Sequence, residues 1–354
     1  MKYQGLIYNG QKYFTVEEME MPEVGDNDII VKNLVASICG SDTDTWLNGG
    51  EMHYLPPHTE FGHEVVCEIA YAGRNVTDLK VGDRIAPYPI KATPNPRKAG
   101  YLGGFSEYIY ITNAKEDYNL WKLDDRISNK EAAIIEPLSV AAHGADTVKD
   151  VTDKTVVMIL GAGVIGFGVA ARLVDRGLPF GNITFVDRSE YRLELMRKQG
   201  FHAVNSSEKG WEKKACECTG SAYCVYGMGS AADYIFDCAG SMEASSIEPT
   251  LLEQAMRILK LGGTMVMLGV HRRNITVNAQ KMVFGLQNMV CGSGFAEPDF
   301  RNVIRMLTEK KLDFEGVVTH VFPFEKIREA ILFACDTNHC MRVEIDYTGK
   351  EIGE

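Results

Sequence analysis

The run from Val156 to Asp187 limits what this chain can fold into more than any other stretch. It opens with an apolar, β-type segment, Val156-Val157-Met158-Ile159-Leu160. Gly161-Ala162-Gly163-Val164-Ile165-Gly166 follows at once, and a helical pattern then runs through Val169, Ala170, Leu173 and Val174 to Gly177. A second apolar run, Ile183-Thr184-Phe185-Val186, ends on Asp187. Strand, glycine turn, helix, strand and acid is the order in which a dinucleotide is bound. Its glycines supply a tight turn, a close approach of backbone to the pyrophosphate, and close helix-to-strand packing. The helix start, at Gly163, Val164 and Ile165, offers free N–H groups and a positive dipole end to phosphate.

Asp187 falls about 20 residues past the turn, where an acid reads the ribose. A carboxylate there accepts hydrogen bonds from a free 2′-hydroxyl and repels a 2′-phosphate. NAD is therefore expected over NADP, with Arg188 beside it as a group that could soften the preference. Two plainer readings exist. The stretch could be a buried βαβ unit with no nucleotide, or its apolar character could mark a membrane span. The glycine turn divides it into a short strand and a helix, which argues against a span of about 20 residues.

At 354 residues, two domains are the natural expectation. The net charge of −11 argues against nucleic acid or an anionic membrane as partner. The opening Met1-Lys2-Tyr3-Gln4 carries no apolar signal region, so a cytoplasmic location is expected. The nine cysteines are odd in number and scattered, which does not suggest a disulfide framework.

Residues 1 to about 110 read as short strands separated by turn signals, among them Tyr13-Phe14-Thr15-Val16, Asp28 to Val35, Val65 to Ala70 and Gly103 to Ile111. Helical patterns begin at Asn129, and Pro137 is expected to kink or restart that helix. Later strands of the nucleotide domain are expected at Tyr234-Ile235-Phe236-Asp237 and Thr264 to Leu268, with a helix from Leu251 to Leu261 between them. Residues 206–230 are polar and cysteine-bearing and read as a surface helix or loop excursion. Helices at Asp299–Lys311 and Phe324–Cys335 and a strand at Met341–Ile345 complete the chain. The simplest layout is a β-rich domain built from residues 1–149 and 291–354, with a doubly wound, Rossmann-type domain, residues 150–290, inserted. In such a sheet ligands lie at the carboxyl ends of strands, so Cys238, Leu268 and Gly269 are candidate cofactor contacts. Arg192 is spaced from Asp187 so that its guanidinium could reach the adenine.

Outside the nucleotide stretch, three segments carry metal-type residues: Ile38-Cys39-Gly40-Ser41-Asp42, Phe61-Gly62-His63-Glu64 and Glu136-Pro137-Leu138. Singly, each has a plain explanation as core thiol, core histidine or solvated acid. Together with Gly103-Gly104-Phe105-Ser106-Glu107-Tyr108 and the glycine turn, in that order along nearly the whole chain, they resemble the zinc-dependent medium-chain dehydrogenase/reductase family, its sorbitol (polyol) and threonine dehydrogenase branch in particular.

The resemblance implies a GroES-like β-rich catalytic domain around a Rossmann domain, one catalytic zinc per chain and hydride transfer between a secondary alcohol and NAD. Cys39 and His63 would be zinc ligands, Glu64 and Glu136 direct or water-separated ones. Asp42 would orient the histidine, and the Ser41 hydroxyl would begin the proton relay. Two departures stand out. The relay position three residues after Ser41 is Asp44 rather than histidine, which leaves Asp44, water and the ribose hydroxyls open as the proton exit; His53 and His58, nearby in sequence, read as surface histidines before cleft ones. Pro87 to Gly104 holds no cysteine, so no structural zinc is expected, and Cys216, Cys218 and Cys224 lack a fourth partner. The resemblance also implies a small-molecule alcohol or polyol as partner and a homodimer or homotetramer. The alternatives are a threonine or sugar 1-dehydrogenase using NAD(P), a zinc-free quinone or enoyl reductase, and an inactive dinucleotide-binding protein.

Overall fold

A computed structural model describes residues 1–240, 249–272 and 274–349. It contains two compact units, Met1–Glu136 with Phe314–Glu354, and Pro137–Asp313. Residues 350–354, which the expected β-rich domain includes, lie outside the described residues.

The first unit is built on a seven-stranded sheet. Its order is Val318–Pro323, Arg342–Asp346, Ile29–Ser37, Glu64–Ala72, Arg84–Pro87 and Leu120–Lys122, and Tyr108–Ile111 also pairs with Ile29–Ser37. A three-stranded sheet of Tyr13–Glu20, Lys2–Gly10 and Thr59–Glu60 accompanies it. The strand Ile29–Ser37 is buried along both faces, as its near-continuous apolar run dictates. An aromatic cluster fills the core: Phe14 lies 4.9 Å from Phe61, which lies 5.9 Å from Phe105. Burying such side chains stabilises by about 1.5–3 kcal/mol each. The short strands Thr59–Glu60 and Leu120–Lys122, the helix Gly40–Asn48 and the strand Val318–Pro323 have no periodic signature of their own, and the sequence reading does not contain them.

The second unit holds a six-stranded parallel sheet in the order His202–Asn205, Ile183–Asp187, Val157–Leu160, Tyr234–Asp237, Thr264–Met267 and Asn288–Cys291. The order reverses beside Val157–Leu160, which gives the sheet a topological switch point. The fold class is that expected, a doubly wound parallel sheet together with a GroES-like β-rich part. Residues 206–230 hold more structure than a surface excursion. Trp211 is 3% exposed within the helix Trp211–Thr219, and an antiparallel hairpin, Ser221–Cys224 with Gly227–Ser230, follows. Strands of four residues containing Ser and Gly show no alternation, so the hairpin is silent in the sequence.

The run from Thr155 resolves into the strand Val157–Leu160 and the helix Val164–Asp175. Among the described residues no helix is long and apolar enough to cross a membrane. Helix Asn129–Ala133 opens with a capping box in which Ser128 Oγ accepts from Glu131 N and Glu131 Oε2 accepts from Ser128 N. It ends at Ala133, and a new helix starts at Ile135. Pro137 has no N–H to offer the carbonyl of Ala133, and its ring would collide with it.

Candidate functional site

Strand register assembles the metal-type residues. Ser37, the last residue of its strand, pairs with Glu64, the first of the next, and with Glu344 on its other side. Cys39 follows Ser37 by two residues and His63 precedes Glu64 by one, so both reach the same end of the sheet. The His63 segment is pinned from below: Phe61 is fully buried, Phe105 N donates to Phe61 O at 2.7 Å, and Gly104 N donates to Gly62 O at 2.7 Å. The Gly103–Tyr108 stretch, distant in sequence, is thus the clamp that holds the histidine segment.

Ligand atoms of Cys39, His63 and Glu64 lie within 4.8 Å of one another. Cys39 caps the N-terminus of helix Gly40–Asn48, and its N–H donates to Asp42 Oδ2 at 2.8 Å. A helix start favours a thiolate. Burial works against that charge, but His63, with help from Arg342 and the Ser41 hydroxyl, brings the Cys39 thiol well below its ordinary value. Burial also presses His63 toward its neutral form. The Cys39 charge outweighs it, Asp42 and Glu136 add to that, and the His63 pKa is raised. Asp42 Oδ1 stands 3.7 Å from His63 Nδ1. Burial pushes the Asp42 carboxyl up to about 7, against the pull of His63 and with the push of Cys39.

Glu64 is fully buried, and its carboxylate pairs with the Arg342 guanidinium, which also donates from Nε to Ser37 Oγ at 2.6 Å. Glu64 Oε1 has no hydrogen-bond partner among the described residues. Glu136 joins the group at longer range. Its carboxyl is raised chiefly by burial, and the charges of His63, Cys39 and Asp42 act on it. Thiolate, imidazole and carboxylates crowded in a partly buried space, with one carboxylate oxygen unpaired, form a donor set suited to a divalent zinc-like cation. Arg342 was missed by sequence reasoning; only the sheet, which sets strand Arg342–Asp346 beside Ile29–Ser37, reveals it.

In the second unit the glycine turn has the geometry its sequence demands. Gly161 has φ +99°, and a side chain on Gly166 would collide with the Gly161 carbonyl. Gly163 caps helix Val164–Asp175 with no side-chain cap bond, so Val164 and Ile165 open a helix whose first N–H groups have no carbonyl of their own helix to bond. Asp187 ends its strand beside the turn, Oδ2 accepting from Ala162 N at 2.6 Å and Oδ1 from Ser189 N at 2.8 Å. Arg188 is exposed. Arg192 Nη1 would lie 3.6 Å from a methyl group on Gly163, which sets the guanidinium over the turn. Cys238, Leu268 and Gly269 follow the ends of the neighbouring strands; Leu268 N and Gly269 N both donate to Asp237 O.

Two family models match the chain: the alcohol dehydrogenase GroES-like domain over residues 25–125 and the zinc-binding dehydrogenase over residues 165–309. L-galactonate-5-dehydrogenase of Escherichia coli is 27% identical over 92% of this chain and 93% of its own length. Sorbitol dehydrogenase 2 of Saccharomyces cerevisiae is 28% identical over 89% of each. The structure of 2R,3R-butanediol dehydrogenase from Bacillus subtilis superimposes with a TM-score of 0.80 at 21% identity, covering 98% of this chain and 99% of the other. With the GroES-like and dinucleotide folds in place and relatives matched nearly end to end, the chain belongs to the zinc-dependent medium-chain dehydrogenase/reductase family, in its polyol- and threonine-dehydrogenase-like branch.

Proposed function

We propose that the protein oxidises a secondary alcohol, a polyol, sugar or sugar acid, with NAD as hydride acceptor and one zinc per chain. The observation that carries this is the convergence of Cys39, His63 and Glu64 within 4.8 Å, in a chain that also holds the glycine turn. Cys39 and His63 hold the metal, with Glu64 and Glu136 as carboxylate ligands, direct or through water. Bound zinc supplies a Lewis acid that polarises an alcohol oxygen and eases loss of its proton. Asp42 fixes the orientation of His63.

Ser41, in the first turn of its helix, is the first group to take the substrate proton. Asp44 lies one turn further along that helix, 1% exposed, with Oδ2 2.7 Å from His53 Nε2. The His53 side chain is 18% exposed. The Asp44–His53 pair is thus one exit for a proton taken up at Ser41, beside water and the ribose hydroxyls, where position 44 is not a histidine. Gly161, Gly163, Val164, Ile165 and Gly166 cradle the pyrophosphate, and Asp187 takes the adenosine ribose. Exposed Arg188 leaves some tolerance for NADP, and Arg192, Cys238, Leu268 and Gly269 complete the contacts.

We assign catalysis to a domain of residues 1–149 and 291–354 and cofactor binding to 150–290. Nine free cysteines fit a reducing, cytoplasmic setting. The exposed edge strand Asn288–Cys291, near exposed Val283, Phe284 and Leu286, supports a homodimer or homotetramer; light scattering that returned a monomer would remove this part.

The deciding experiment measures metal per chain and NADH formation on polyols, sugars, sugar acids and threonine. One zinc per chain, with turnover abolished by chelation, is expected. Absence of zinc together with NAD(P)H-dependent reduction of quinones or enones would overturn the reading.

A further inference from the structure

Asp237 ends the strand Tyr234–Asp237, next to Thr264–Met267 in the parallel sheet, with Asp237 opposite Met267. Beyond Met267 the chain curls back over the neighbouring strand end, because Leu268 N and Gly269 N both donate to Asp237 O at 2.9 and 2.7 Å. This curl delivers His271 to the Asp237 side chain, with Nε2 at 2.6 Å from Oδ2. The pair is dry: the Asp237 side chain is 1% exposed and that of His271 is 9% exposed. A carboxylate only accepts, so in the neutral imidazole the ring proton sits on Nε2 and Nδ1 keeps its lone pair. Nδ1 is buried and has no hydrogen-bond partner among the described residues. An unpaired buried acceptor is costly, so Nδ1 is placed to gain from a donor brought in from outside the chain.

The position says what the missing donor belongs to. The glycine turn and Asp187 occupy one side of the switch point, on Val157–Leu160 and Ile183–Asp187. Asp237 and His271 occupy the other side, at the carboxyl ends of the next two strands. A dinucleotide crosses the switch point, so the half remote from Asp187 lies on the His271 side. That half, the nicotinamide riboside, offers donors in its ribose hydroxyls and its carboxamide N–H. We infer that His271 accepts a hydrogen bond through Nδ1 from the nicotinamide-riboside half of the cofactor, with Asp237 as the positioning residue that fixes the ring and its tautomer. The inference rests on the dinucleotide reading above.

The test is calorimetric titration of the zinc-loaded chain and its His271→Gln variant with NAD, ADP-ribose and ADP. The Gln amide still donates to Asp237 but leaves no acceptor at the Nδ1 position. NAD affinity is expected to fall about tenfold while ADP affinity stays unchanged. ADP-ribose weakens with NAD if a ribose hydroxyl is the donor, and behaves like ADP if the carboxamide is. Equal NAD affinity in both proteins, or an equal loss for ADP, overturns the inference and leaves the dinucleotide reading standing. A wild-type chain that binds neither NAD nor ADP overturns both. Should the variant be unstable, the nitrogen-15 signal of His271 in the wild type decides: it shifts with NAD and not with ADP, and a signal unmoved by NAD refutes the contact.

Discussion

In residues 137–313 the candidate cofactor cradle lies in one continuous stretch, Val157 to Asp187, and is made of backbone: a positive-φ glycine, an uncapped helix start, a carboxylate fastened by two N–H groups. In the other unit the candidate metal donors come from Cys39, His63, Glu64 and Glu136, and a buried arginine, Arg342, reaches them from the far end of the chain. The first site depends on local conformation and on small residues. The second depends on strand register and on opposed charges taken out of water. The two therefore fail differently when perturbed.

The largest effect is expected for Cys39→Ser. Losing the thiolate should remove bound metal and lower turnover at least about a thousandfold, on the order of 4 kcal/mol. NAD affinity should hold within about twofold, because the cradle belongs to the other kind of site. Metal analysis with NADH formation checks it, and near-normal turnover would sink the metal assignment.

Arg342→Leu touches no substrate, yet it strands a fully buried Glu64 carboxylate. Breaking such a pair costs about 3 kcal/mol or more, and a thermal melt of the metal-free chain should show it. The double change Glu64→Leu with Arg342→Leu should recover most of that loss; if it does not, Arg342 matters for reasons other than the pairing.

Gly166→Ala is expected to cost about 1–3 kcal/mol, since the new methyl has no room against the Gly161 carbonyl. ADP binding should weaken with it while zinc content stays at the wild-type level. Zinc loss in this variant would show that the two sites are not separable in this way.

The smallest effect belongs to Asp187→Ala. Loss of a charged acceptor should weaken NAD about tenfold and narrow its advantage over NADP. An unchanged NAD-to-NADP affinity ratio would mean that Asp187 only holds Ala162 and Ser189 in place.

How legible each region was follows from the same contrast. Strands such as Tyr13–Glu20 and Glu64–Ala72 announce themselves by alternation or apolar runs, and the βαβ stretch by glycine spacing. Helix Gly40–Asn48 does not, because a sequence rich in Gly, Ser, Asp and Thr reads as a turn; it becomes helical because Cys39 and Asp42 close a cap at its start. The hairpin at Ser221–Ser230 and the strand Val318–Pro323 are held by their partners rather than by their own residues.

The sequence by itself determined that a parallel sheet with a glycine turn and a terminal acid would form, because backbone conformation there depends on which residues lack a Cβ and which repeat as apolar. It also supplied thiol, imidazole and carboxylate in a recognisable order. Only the tertiary structure decided that Ser37 pairs with Glu64, that Phe61 and Gly104 clamp the His63 segment, that Arg342 neutralises Glu64, and that Asp237 meets His271. Those contacts join residues far apart in sequence, and their strength comes from exclusion of water, a property of the packed interior that no local pattern encodes.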